Sequence, residues 1–219
     1  SGTTNVAVGI NSLRLNISGN ASTAIGYRAA YSSTSAVKLT AIGSNALEDN
    51  TIGNSNVAVG YFSLHKNTTG ADNVSVGTHS SIENISGSKN AALGHDCLRY
   101  NTASNNTAVG YQASLSNTTG TNNTAVGLQA LKANTTSSNN TAVGYQASMF
   151  NTTGTQNTAV GPQALYSNST SSNNTALGYH ALRANTAANN TALGHQAGYE
   201  IGNLTGTSNT FLGYNASYG

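Results

Sequence analysis

Charge is scarce in this chain of 219 residues: eight basic and six acidic side chains make up only 6% of it. The basic residues are spread singly from Arg14 to Arg183, which leaves no patch of the kind nucleic acid requires. A single cysteine, Cys97, excludes an internal disulfide. No apolar run approaches the ~18 residues that a membrane-spanning helix needs. Helical periodicity is missing throughout. No signal peptide is visible, and a start at Ser1 rather than Met reads as a processed product or a piece of a longer protein.

What is present is one short unit, repeated. Its clearest copy is Asn-Thr-Ala-Val-Gly-Leu-Gln-Ala-Leu, from Asn123 to Leu131. The unit's glycine recurs at Gly9, Gly26, Gly43, Gly60, Gly77, Gly94, Gly110, Gly127, Gly144, Gly161, Gly178, Gly194 and Gly213. The intervals centre on 17 residues, with 16 before Gly110 and Gly194 and 19 before Gly213. A period this short predicts a solenoid, and its continuity predicts one repeat domain over residues 1–219. Short segments rich in Val, Thr and Tyr, about five residues each, read as strands between turns.

The columns of the repeat carry the expected roles. The residue just before the glycine is always Val, Ile or Leu, from Val8 to Leu212, and such a column is expected to point into the packed interior. Two places before the glycine is Ala, except at Ser75 and Phe211; three places after it is Ala or Ser, except at Cys97. Columns confined to small side chains mark close approaches of backbone, and Cys97 reads as a small buried side chain. A leading Asn column lies four places before the glycine (Asn56, Asn123, Asn140 and others), and a trailing one seven places after (Asn67, Asn117, Asn134 and others). Both are expected to take left-handed turn geometry and to stack as hydrogen-bonded ladders. Every change in coil length falls between the trailing Asn and the next leading one, so that turn absorbs it. A 34-residue alternation overlies the repeat: Tyr-Gln-Ala-Ser coils from Tyr111 and Tyr145 alternate with Gln-Ala-Leu coils from Gln129 and Gln163.

The units Asn56-Val-Ala-Val-Gly60, Asn106-Thr-Ala-Val-Gly110 and Asn140-Thr-Ala-Val-Gly144, each followed by a small residue three places on, resemble the head repeats of YadA-like trimeric autotransporter adhesins. They are similar also to the repeat shafts of phage tail-fibre proteins. The resemblance implies a left-handed parallel β-roll, side-by-side association of three chains, and binding to extracellular matrix or other surfaces. Two departures qualify it. The adhesin repeat is usually shorter than 17 residues, and this sequence has no coiled-coil stalk, membrane anchor or chaperone domain, so attachment and trimerisation are expected elsewhere or not at all.

Candidate chemistry is thin. The acids Glu48, Asp49, Asp72, Glu83, Asp96 and Glu200 occupy scattered registers, whereas a glycosidase needs two carboxylates converging on one bond. The histidines His65, His79, His95, His180 and His195 fall in variable columns and read as solvated, so no metal, cofactor or catalytic residue is expected. Tyr follows the glycine at Tyr27, Tyr61, Tyr111, Tyr145, Tyr179 and Tyr214, which reads either as packing between coils or chains or as an aromatic track for sugar rings. The sequon residues Asn16, Asn67, Asn84, Asn117, Asn134, Asn151 and Asn168 share the trailing Asn column. In a eukaryotic or viral product that column reads as a glycosylated ridge; in a bacterial or phage product it reads as a turn ladder.

The expectation is therefore an all-β protein, a parallel β-solenoid (β-roll or β-helix) of thirteen roughly 17-residue coils associated as a homotrimer. Each coil supplies few sizeable apolar groups, and oligomerisation supplies the missing burial. Its role would be a non-enzymatic segment of an extracellular, cell-surface or virion fibre, a rigid spacer offering multivalent contacts to a host-surface protein or glycan. The alternative is a filament of subunits stacked end to end. A third reading, ice binding, rests on the column Thr107, Thr124, Thr141, Thr158, Thr175 and Thr191, but its partner column is aliphatic where paired Thr columns would be needed.

Overall fold

The computed structural model describes residues 2–199 and 206–216. Among them are thirteen parallel strands and no helix, so the chain is an all-β parallel β-solenoid. Each strand has three residues rather than the five expected, because the backbone turns at the glycine that follows it.

The chain divides into two compact units, Ser1–Asn106 and Thr107–Gly219. The first holds β1 (Val6–Val8), β2 (Thr23–Ile25), β3 (Thr40–Ile42), β4 (Val57–Val59), β5 (Val74–Val76) and β6 (Ala91–Leu93), each paired in parallel with the next. The second holds β7 (Thr107–Val109), β8 (Thr124–Val126), β9 (Thr141–Val143), β10 (Thr158–Val160), β11 (Thr175–Leu177), β12 (Thr191–Leu193) and β13 (Thr210–Leu212), paired in the same way. Like faces like: Thr124 opposes Thr141, Ala125 opposes Ala142, and Val126 opposes Val143. The 16-residue step keeps this register, with Thr175 opposite Thr191, because the missing residue comes out of the turn between Asn185 and Asn190.

The faces are opposite to the sequence expectation. Side chains alternate along a strand, so the middle residue points one way and its neighbours the other. Here the middle residue points inward: Ala24, Ala41, Ala58, Ala92, Ala108, Ala125, Ala142, Ala159, Ala176 and Ala192 have no accessible surface. The aliphatic column points outward, with Leu93 and Leu177 each 45% exposed and Val126 half-buried. The reason is volume. The interior of so short a coil is already filled by the Leu column four places after the glycine, where Leu47, Leu64, Leu98, Leu131, Leu165 and Leu182 are fully buried. A second branched column has no room, and the small strand residue packs against those leucines instead. The 34-residue alternation belongs to this Leu column, since buried Ser114 and Ser148 alternate with Leu131 and Leu165, small against large.

Left-handed geometry also falls elsewhere than expected. Beyond glycine, positive φ occurs five places before the glycine, and two and four places after it, as at Asn122 (φ 57), Gln129 (φ 58) and Leu131 (φ 49). The leading and trailing Asn columns are not among these residues. Such conformations cost roughly 1–2 kcal/mol each for L-residues, and hydrogen bonding between coils sets them. Gln129 N donates to Tyr111 O (2.9 Å) in the coil before, and Leu131 N to Ala147 O (3.1 Å) in the coil after. At Gly127 the need for glycine is absolute: φ is +130 and an added Cβ would lie 2.4 Å from the carbonyl oxygen of Gly144.

The Asn columns form the expected ladders, inside rather than at the surface. Asn67 Nδ2 donates to Asn50 Oδ1 (2.7 Å) and to Gly70 O (2.9 Å), and Asn84 Nδ2 donates to Asn67 Oδ1 (2.9 Å). In the second unit the trailing ladder runs through Asn117, Asn134, Asn151, Asn168 and Asn185. The leading column works through the backbone: Asn56 Oδ1 accepts from Asn73 N (2.9 Å), while Asn56 Nδ2 donates to Gly70 O (2.7 Å). These amides close the turns from within and satisfy polar groups that water cannot reach.

Candidate functional site

Two outward features and one side-chain cluster carry what chemistry the molecule has. The cluster is in the first unit. His79 and Asp96 both lie two places after a glycine, in successive coils, and His95 immediately precedes Asp96. Stacking the coils brings His79 Nδ1 to 3.7 Å from Asp96 Oδ1, and His95 Nδ1 lies 3.2 Å from Asp96 Oδ2. Arg99 Nη1 donates to Asp96 Oδ1 at 2.8 Å. The Asp96 side chain is 9% exposed, His79 29% and His95 48%, so the carboxylate is sheltered while both rings reach solvent.

Two of the other acids are matched to bases. Glu48 meets Arg28 Nη2 at 2.7 Å, accepts from Asn45, and has His65 Nδ1 at 3.5 Å. Glu83 pairs with Lys66 at 2.8 Å. Asp72 is exposed, Asp49 is half-buried, and Glu200 lies outside the described residues. Of the histidines, expected to be solvated, His95 and His195 are exposed and His65, His79 and His180 half-buried, and all have partners: His65, His79 and His95 face carboxylates, and His195 stacks between Tyr179 (5.1 Å) and Tyr214 (5.0 Å). His180 caps a ladder of side-chain amides, Gln112, Gln129, Gln146 and Gln163, meeting Gln163 Oε1 at 2.8 Å. Burial, then the positive charge of Arg183 and the nearby His195, pull its pKa below the usual 6.5. Gln129 is half-buried within this ladder.

All six tyrosines of the aromatic column are exposed, between 43% at Tyr179 and 74% at Tyr214; Tyr27, Tyr61, Tyr111 and Tyr145 lie between those values. Leu128 and Pro162 interrupt the column in the second unit. Tyr179, His195 and Tyr214 stack face to face, so their edges rather than their faces are offered outward. The Thr column also points outward: Thr107, Thr158, Thr175 and Thr191 are exposed and Thr124 and Thr141 half-buried, each two residues before the aliphatic column with the inward Ala between.

The sequon residues Asn67, Asn84, Asn117, Asn134, Asn151 and Asn168 are fully buried, and Asn16 is half-buried with its Nδ2 donating to Gly19 O (3.0 Å). Their Nδ2 atoms, which glycosylation would use, are spent on the internal ladder, so the folded coil has no room for a sugar there. Among the described residues the exposed sequons lie elsewhere, at Asn20, which heads Asn-Ala-Ser, and at Asn105, Asn122, Asn139, Asn173 and Asn189, each heading Asn-Asn-Thr. Cys97 is buried, and burial pushes its thiol up to about 12, a backbone hydrogen bond at Leu93 acting in the opposite sense.

No family model, curated protein or solved structure matches this chain. No helix among the described residues is long and apolar enough to cross a membrane.

The His79 cluster escaped the sequence reading although the signal was there. Adding the 17-residue period to His79 gives Asp96, and to Glu48 gives His65. Treating histidines one at a time hid what stacking brings together.

Proposed function

We propose that the chain is a non-enzymatic structural segment of an extracellular fibre whose solenoid surfaces pack against further copies of itself, three chains side by side. The observation that carries this reading is the aliphatic column. In each unit every copy from Val8 to Leu212 is Val, Ile or Leu, yet the column stands on the outside of the coil. Water gives no reason for a line of aliphatic side chains along each unit. A second copy, with the same strand-to-strand repeat of about 4.8 Å, would cover them in register. The YadA-like motif fits such a trimer, and the exposed tyrosines beside the column give repeated weak contacts suited to multivalent attachment to a surface or glycan.

Light scattering on the isolated chain tests the reading. The expected mass is three times the 22.2 kDa chain. A stable monomer would overturn self-association, and growth without limit would select the end-to-end filament over the trimer.

A further inference from the structure

We propose that His79, His95 and Asp96 form a binding site for one divalent transition-metal ion of the zinc class. The three ligand atoms lie within 4.8 Å of one another. Around a tetrahedral ion with bonds of about 2.0–2.1 Å, ligand atoms sit roughly 3.3 Å apart. The 3.2 Å from His95 Nδ1 to Asp96 Oδ2 already meets that spacing, while His79 Nδ1 lies 3.7 Å from the other carboxylate oxygen, Oδ1, and must turn toward Oδ2 to complete the set. Both rings are partly exposed, which gives them room to rotate onto an ion.

The donor set decides the kind of ion. Two imidazole nitrogens and one carboxylate oxygen suit zinc and its neighbours, whereas calcium and magnesium take six or more oxygens. The half-exposed side leaves at least one coordination position open to water or to a donor from outside the chain.

The site is held before any ion arrives. His79 and Asp96 both have left-handed backbones (φ 56 and 55), and their amides donate to Tyr61 O (2.9 Å) and Thr78 O (3.1 Å) in the preceding coils. The His79 ring also packs near Tyr61 (5.6 Å) and Phe62 (6.1 Å). Arg99 fixes the carboxylate through Oδ1 and leaves Oδ2 turned toward His95, the arrangement by which an outer residue orients a ligand. Its positive charge also weakens the site for a cation, so binding is expected to be reversible. A bound ion joins the coils of Gly77 and Gly94 by side chains as well as by backbone. The inference is independent of self-association, since all three ligands come from one chain.

The chain's own repeats supply variants compatible with the coil. Gln stands in the His79 column at Gln112, Gln129 and Gln146, and Tyr stands in the His95 column at Tyr111 and Tyr145. The experiment is equilibrium dialysis of the chelator-stripped full chain against zinc chloride, with bound metal counted by atomic emission and oligomeric mass followed in parallel. One zinc per chain is expected, with a raised midpoint of thermal unfolding and no response to calcium. His79→Gln and His95→Tyr should each weaken binding at least about tenfold, while His65→Gln should leave it unchanged. Absence of retained zinc overturns the proposal, as does equal retention by the two site variants when their circular dichroism matches the parent.

Discussion

Ala125 and Val126 are neighbours in β8 and lie on opposite sides of the coil wall: Ala125 has no accessible surface, and Val126 stands half-open on the outside. An Asp at each position therefore has a different effect. Ala125→Asp buries a charge without a partner and should prevent the second unit from folding. Val126→Asp should leave the circular dichroism of the chain intact and lower its mass in light scattering. Loss of structure in Val126→Asp would mean that the aliphatic column is part of the fold itself.

Asn134 Nδ2 donates to Asn117 Oδ1 at 2.8 Å and to Ser137 O at 3.1 Å, both inside the coil. Asn134→Ala breaks the ladder on both sides, removing the donor to Asn117 Oδ1 and the acceptor of Asn151 Nδ2 (3.1 Å), while Ser137 O keeps its bond from Asn123 Nδ2 (2.8 Å). It should destabilise the second unit by about 1–3 kcal/mol, read as a shift of the urea midpoint.

Gly127→Ala places a methyl group 2.4 Å from the Gly144 carbonyl, at a φ that Ala does not adopt. Strain and overpacking together should cost about 3 kcal/mol or more. Ala in place of exposed Asn139, a left-handed residue with no such clash, should cost less than half as much in the same denaturation assay.

Cys97 holds its proton up to about 12 when folded, against 9.0 ordinarily. A raised folded value means that the unfolded chain loses its proton first. The stability that the thiol contributes is thus complete below about pH 9 and falls as pH rises from there toward 12, by at most about 1.4 kcal/mol per unit. Urea denaturation at pH 8 and near pH 10.5, for the parent and for Cys97→Ser, isolates this loss from the titration of Tyr and Lys. The serine variant, which copies Ser63 and Ser80, should show the smaller drop.

The period of the glycines and the parallel register were legible because a solenoid writes its geometry into spacing. Asn67 and Asn84 were legible as a ladder for the same reason. The direction of Val126 was not, because an invariant aliphatic column looks the same whether its own coil or a neighbouring molecule covers it. Leu131 and Gln129 gave no sign of left-handed backbone, since neither favours it; hydrogen bonds to adjacent coils overrule the preference. The His79 cluster was readable only once positions one period apart were compared, a step the sequence had already licensed.

The left-handed residues have a kinetic consequence. A coil on its own has no partner for the amides of Gln129 or Leu131, so nothing offsets the cost of holding them in that conformation. A coil laid on one already formed finds those acceptors waiting. Assembly within each unit thus begins with a slow pairing of two coils and proceeds by templated addition, one coil at a time. A chain emerging from the ribosome can fold as it appears, each new coil copying the last, and loosening begins at the outermost coils of a stack.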